Sequence, residues 1–207
     1  MDNLFFKNNG PFKLSDILKD LGLSNVQNIH DQNIYDVNDL QNSKTKEITF
    51  FHSKKYKKAA NDTNASFCIT TENLKNELPK ECIPIIVDNV LASTSIITAK
   101  FYPESIYDDF DTTVDDISKT EFNNKFKYGK NVLIGQNVFI GLNCLIGHNT
   151  IIEKNVSIGD NCIIGSNTII RNSLIRNNVR ILDNCVIGKH GFGFFPTQNK
   201  NLRYPHM

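Results

Sequence analysis

The chain has 207 residues, 40% of them hydrophobic, and its 23 basic and 22 acidic side chains leave a formal net charge of +1. That length suits one large domain or two small ones with buried cores. The charge balance excludes a global electrostatic pull toward nucleic acid or acidic membranes. No apolar run approaches the ~18 residues of a membrane span. The odd count of five Cys and the lack of a recognisable signal peptide fit a reducing cytosol.

In chain order, Leu14, Ile17, Leu18 and Leu21 stand at helical spacing, with Gly22 as the stop. Residues 23–46 are rich in Asn, Asp and Gln and read as irregular, with short strands at most. Glu47 to Phe51 reads as a strand, and Ser53 caps a helix running from Tyr56 to Ala60. Ala65 to Thr70 and Ile83 to Val87 are further strands, and Val90 to Lys100 a further helix. This alternation predicts an α/β domain over residues 1–102. Residues 103–127 carry Asp108, Asp109, Asp111, Asp115 and Asp116 with little apolar periodicity, and read as a solvated acidic linker.

From 128 to 191 a six-residue rule takes over. Ile134, Ile140, Ile146, Ile152, Ile158, Ile164 and Ile170 recur at that step; one five-residue step leads to Ile175, then Ile181 and Ile187 resume it. Asn follows most of these Ile by three residues, from Asn137 to Asn184, and Gly often follows directly. Six is not a multiple of 3.6, so no helix face results; a short fixed repeat reads as a parallel β-helix. Val138 and Val156, Cys144 and Cys162, and Thr150 and Thr168 are identical pairs eighteen residues apart, so three hexads make one coil of a triangular prism. Ile fills its interior, and Asn and Gly take the corners, where positive φ is tolerated. The hexad Cys read as small hydrophobes rather than as a disulfide. The five-residue step predicts a tightened corner.

Residues 192–207 leave the rule and read as a loop budding from the prism. The prism lacks the atypical end unit that repeat arrays carry, so the natural polypeptide is expected to continue past Met207.

Two further stretches narrow the reading. Phe50, Ser53, Lys55 and Tyr56 fall in Phe-Phe-His-Ser-Lys-Lys-Tyr, and Gly188-Lys-His-Gly-Phe-Gly-Phe194 closes the ladder. An α/β domain, a hexad prism and a GFGF loop together resemble the UDP-3-O-acylglucosamine N-acyltransferases of lipid A biosynthesis. The resemblance implies that the prism is left-handed and that three copies pack side by side. It implies that Phe50 and Tyr56 sandwich uracil, that Ser53 stands where the family has Asn, and that Lys55 completes the motif. It implies that His190, Gly191, Phe192, Gly193 and Phe194 wall the sugar and acyl sites, with His190 where the family usually has Asp. The implied reaction moves a 3-hydroxyacyl chain from acyl carrier protein to the 2-amino group of a UDP-linked, 3-O-acylated glucosamine. No cofactor is implied, and the setting is cytoplasmic, at most peripheral to the inner membrane. The family's basic His lies in an Ala-His-Asn hexad that this sequence lacks; neither His148 nor His206 replaces it, so no catalytic residue is assigned and the chain is expected not to turn over.

Two readings from other classes compete. A metal-dependent hydratase on the same prism, like the gamma carbonic anhydrases, needs three converging His, and only His148 and His190 lie in the ladder. A non-catalytic binding scaffold needs only the prism and a docking domain.

Overall fold

The computed structural model describes residues 3–23, 30–123, 125–196 and 201–205. They form two compact units, one of residues 1–107 with 192–207, the other of residues 108–191.

The first unit is built on a sheet of four parallel strands in the order β3-β4-β5-β6: Asp36–Val37, Glu47–Phe51, Phe67–Thr70 and Ile83–Ile86. A small antiparallel pair, β1 (Phe12–Lys13) with β2 (Asn33–Ile34), precedes it. Side chains alternate across the sheet, as the period of two requires. Ile48, Phe67, Ile69 and Ile85 pack with α1 (Leu14–Asp20) and α3 (Val90–Phe101) on one face. Phe51, Cys68, Leu40 and Ala60 of α2 (Lys57–Asn61) form a smaller cluster apart from it. Strands buried on both faces read as apolar runs, which is why Phe-Cys-Ile-Thr is buried throughout. Helix α1 ends where expected: Gly22 takes φ +73°, the left-handed position glycine fills at helix ends. Asn89 caps α3, its Oδ1 accepting the Ala92 N–H at 3.0 Å. The single helix expected after Ser53 divides into a 3₁₀ turn, Lys54–Tyr56, and α2.

The second unit is the prism. Its strands are two residues long and lie in three parallel sheets. Leu145 pairs with Ile163, Ile151 with Ile169, and Phe139 with Ser157, each eighteen residues on. Beyond the short step the offset falls to seventeen: Ser157 pairs with Leu174, Ile163 with Arg180, and Ile169 with Val186. Ile134 through Ile170 and Ile181 are buried along the axis, with Val132, Val138, Cys144, Val156 and Cys162 beside them. Burying one such Ile contributes roughly 1.5–3 kcal/mol.

Two side-chain ladders run along the corners. Each hexad Asn takes positive φ, from Asn131 at 57° to Asn184 at 62°. Asn131 Nδ2 donates to Asn149 Oδ1, and Asn149 Nδ2 to Asn167 Oδ1, at 3.0 and 3.1 Å. One position earlier, the Lys130 N–H donates to His148 Nδ1, the His148 N–H to Ser166 Oγ, and the Ser166 N–H to Asp183 Oδ1. Inside, Thr150 Oγ1 donates to the Gly165 carbonyl at 2.9 Å, and the thiols of Cys144 and Cys162 donate to the carbonyls of Gly159 and Arg176. The small slot cycles Val, Cys, Thr around the three corners, and at two of them the small residue is also a donor, an extension of the small-hydrophobe reading. All five Cys are free thiols.

The acidic stretch departs from the linker expectation. Ile117 and Phe122 belong to the prism core, and β7 (Asp115–Asp116) pairs antiparallel with Leu133–Ile134. Asp111 is buried; its carboxylate accepts the N–H groups of Lys154 and Thr113. Asp116 accepts from Ser118 and starts a 3₁₀ turn. Asp111 thus satisfies backbone donors and Asp116 caps a turn, while Asp109 and Asp115 are exposed. The chain leaves the prism after Gly191, and residues 192–196 and 201–205 group with the first unit, where the Ser95 hydroxyl donates to the Arg203 carbonyl at 2.9 Å.

Candidate functional site

Thr70 Oγ1 donates to the Phe51 carbonyl at 2.9 Å, fixing the carboxyl end of β4. Ligands of parallel sheets collect at such ends. A cleft of about 300 Å³ opens there, lined by Phe50, His52, Tyr56 and Ala59 and by the turn Asp39-Leu40-Gln41. Phe50 is half-buried, packing partly against the larger core cluster. Tyr56 is 42% exposed, and the His52 ring is tilted against it, centroids 5.3 Å apart. A second depression of about 420 Å³ lies against Tyr56, lined also by Lys55, Lys58 and Asp62. Lys55 Nζ stands 5.8 Å from the Tyr56 ring centroid. Lys57 is engaged elsewhere, 2.8 Å from Glu77. An apolar cleft and a cationic depression thus meet at one tyrosine.

Ser53 does not line the cleft. Its hydroxyl oxygen accepts the Lys55 N–H at 3.4 Å, capping the 3₁₀ turn. Asp39 is also committed: its carboxylate accepts from the N–H groups of Gln41 and Asn42 and from the Asn42 amide. Burial works against its charge, but the Asn42 and Gln41 hydrogen bonds outweigh burial and hold the carboxyl below its usual range. Of the sequence-assigned residues, Phe50 and Tyr56 share the cleft, Lys55 lies in the neighbouring depression, and Ser53 turns the chain between them. His52, Gln41 and Asp39 were not singled out. His52 stood inside the motif and could have been found from its neighbours; Gln41 comes from a turn with no periodic signal.

The GFGF segment is divided. His190 and Gly191 fall in the second unit, and Phe192, Gly193 and Phe194 in the first. Phe192 is 97% exposed and its ring meets that of Phe194 edge-on at 5.0 Å. Phe194–Pro196 pairs with Asn201–Arg203 as a hairpin, and the Tyr204 N–H donates to the Gly193 carbonyl at 3.0 Å. His206 lies outside the described residues. Among the described residues no three His, Cys, Asp or Glu converge as metal ligands would, and no helix is long and apolar enough to cross a membrane.

Residues 31–99 match the family model described as UDP-3-O-(3-hydroxymyristoyl) glucosamine N-acyltransferase, LpxD. Residues 137–172 match the bacterial transferase hexapeptide (six repeats). A UDP-3-O-acylglucosamine N-acyltransferase of Rickettsia prowazekii (strain Madrid E) is 31% identical over 101 residues, covering 47% of this chain and 29% of that protein. The chain is thus similar to the UDP-3-O-acylglucosamine N-acyltransferases over residues 31–99 and to the hexapeptide repeat of bacterial transferases over residues 137–172, and it spans less than a third of the length of the relative it matches.

Proposed function

We propose that the Phe50–Tyr56 cleft binds the uracil of a UDP-linked, 3-O-acylated glucosamine, and that the protein acts in N-acylation of that sugar during lipid A biosynthesis. The observation that carries this reading is the pairing of an aromatic-walled cleft with a Lys55- and Lys58-lined depression on the same tyrosine. Base–aromatic stacking is worth roughly 1–3 kcal/mol per base, and a diphosphate next to it would lie against the two ammonium groups.

The acyl donor in this reading is a 3-hydroxyacyl carrier protein, and three copies of a left-handed prism form the working unit. His190 and Gly191, with Phe192, Gly193 and Phe194, wall the acceptor and acyl sites. The attacking amine must lose a proton to a base with a free lone pair. His148 is unsuited to that: its Nδ1 accepts the Lys130 N–H at 2.8 Å, so the neutral ring carries its proton on Nε2 and presents a donor outward. No Ala-His-Asn hexad occurs in residues 1–207, so no residue of this sequence is assigned as that base.

Isothermal titration of the full chain with UDP-N-acetylglucosamine tests the reading. Binding is expected, weakened about tenfold or more by Phe50→Ala and by Tyr56→Ala. Absence of binding by the folded protein, or binding that survives both substitutions together, would refute it.

A further inference from the structure

An aromatic pair holds any flat base; choosing a pyrimidine needs groups that read its polar edge. Uracil presents an N–H between two carbonyl oxygens, so a complementary site needs an acceptor flanked by donors. Ser53 cannot supply this set, since its oxygen is taken by the Lys55 N–H and a hydroxyl offers one donor. Asp39 cannot either, because both its oxygens hold the turn that follows.

Two polar side chains remain in the cleft. Gln41 and His52 both line it, and among the described residues neither side chain has a hydrogen-bond partner. A carboxamide sets an acceptor and a donor side by side, matching the uracil N3–H and an adjoining carbonyl. An imidazole N–H matches the second carbonyl. The His52 ring also lies beside the stacking platform, tilted against Tyr56 with centroids 5.3 Å apart. We infer that Gln41 and His52 read the edge of the stacked uracil, the role that Ser53 leaves open. This rests on the nucleotide reading above and adds to it the residues that set base specificity.

The test is titration of the full chain with UDP and with its N3-methylated analogue. Gln41→Ala and His52→Ala should each weaken UDP about tenfold, the loss of one or two hydrogen bonds. His52→Phe keeps a ring against Tyr56 but no donor, and should bind as weakly as His52→Ala; His52→Gln should recover much of the affinity. N3-methylation should weaken the unsubstituted protein and add little in Gln41→Ala, because the same hydrogen bond is already gone. UDP binding at full strength in both alanine variants, or in His52→Phe, overturns the assignment while leaving the nucleotide site intact. A folded protein with no UDP affinity overturns the nucleotide reading, and this inference with it.

Discussion

Arg171→Met tests the charged cluster on the prism. The Arg171 and Glu153 side chains are only 13% and 11% exposed; Arg171 Nη2 donates to Glu153 Oε1 at 2.8 Å, and Nη1 to Asp108 Oδ1 at 3.3 Å. Methionine fills much of the same volume but leaves Glu153 without its cation, while Asp108 keeps Lys189 at 3.9 Å. Breaking a buried pair from one side costs about 3–5 kcal/mol, and at 1.4 kcal/mol per tenfold this is about a hundredfold or more in local opening. Burial already pushes the Glu153 carboxyl above its usual range, with the Arg171 charge pulling it down. A carboxyl raised in the folded state binds its proton more tightly there than when unfolded. The stability this gives is present below the ordinary value and lost as pH rises through the folded one. Removing Arg171 raises the group further, so the deficit relative to the unsubstituted chain should be largest near neutrality and shrink toward about pH 5. Since the chain has no Trp, amide hydrogen exchange read on peptides spanning Ile151–Ile152 and Ile169–Ile170 is the suitable assay. Adding Glu153→Gln should recover part of the loss. Unchanged exchange in those strands, or a deficit equal at about pH 5 and about pH 7, would refute the reasoning.

Ile152→Ala should destabilise the prism by about 2–5 kcal/mol, read by urea unfolding, because its side chain is fully buried with coils stacked on either side. Gly188→Ala should cost more than the roughly 1–2 kcal/mol of a left-handed residue: Gly188 sits at φ +75°, and a Cβ there would collide with the Arg171 carbonyl oxygen. Faster exchange confined to the last coil is the expected signature, and unchanged exchange there would count against it.

The prism was legible because its information is periodic. Ile at the axis, Asn at positive φ and the eighteen-residue coil follow from spacing alone, and the strand registers repeat them. What stayed hidden is carried by residues outside any period. Asp111 and Ile117 looked like parts of a charged, irregular stretch, yet one satisfies a backbone N–H of the prism and the other sits in its core. Gln41 reaches the cleft from a turn whose shape depends on Asp39 accepting two backbone N–H groups, a local geometry with no sequence rhythm. Phe50 and Tyr56 were found through a motif. Ser53 was placed by the same motif, but it caps a turn, because a short hydroxyl one residue before a helical turn is better satisfied by the backbone than by a ligand.

The departures from the hexad rule have a common logic. In the slot after each Ile, one column reads Gly135, Glu153, Arg171 and Gly188. In the other columns Gly fills the slot wherever a next coil lies too close for a Cβ: at Gly147 a Cβ would press on Ser166 and at Gly165 on Asp183, and only the last coil carries Arg176 and Leu182 there. Glu153 and Arg171 occupy this column because their side chains leave the corner and meet each other and Asp108. Gly135 above them leaves room for the Asp111 carboxylate, and Gly188 below leaves room for the Arg171 carbonyl. The five-residue step falls directly after Arg171, where Asn172 takes φ 47° and the Ser173 hydroxyl donates to the Arg171 carbonyl at 2.7 Å. The short step is therefore tied to Arg171 and its carbonyl rather than to the loss of Gly alone, since a six-residue step follows Glu153. Restoring a six-residue step by inserting one residue after Asn172 should loosen the Arg171–Asp108 contact and speed exchange near Asp111, while leaving Leu145–Ile146 protected. Uniform loss of protection along the prism would show instead that the step serves only the register of the later coils.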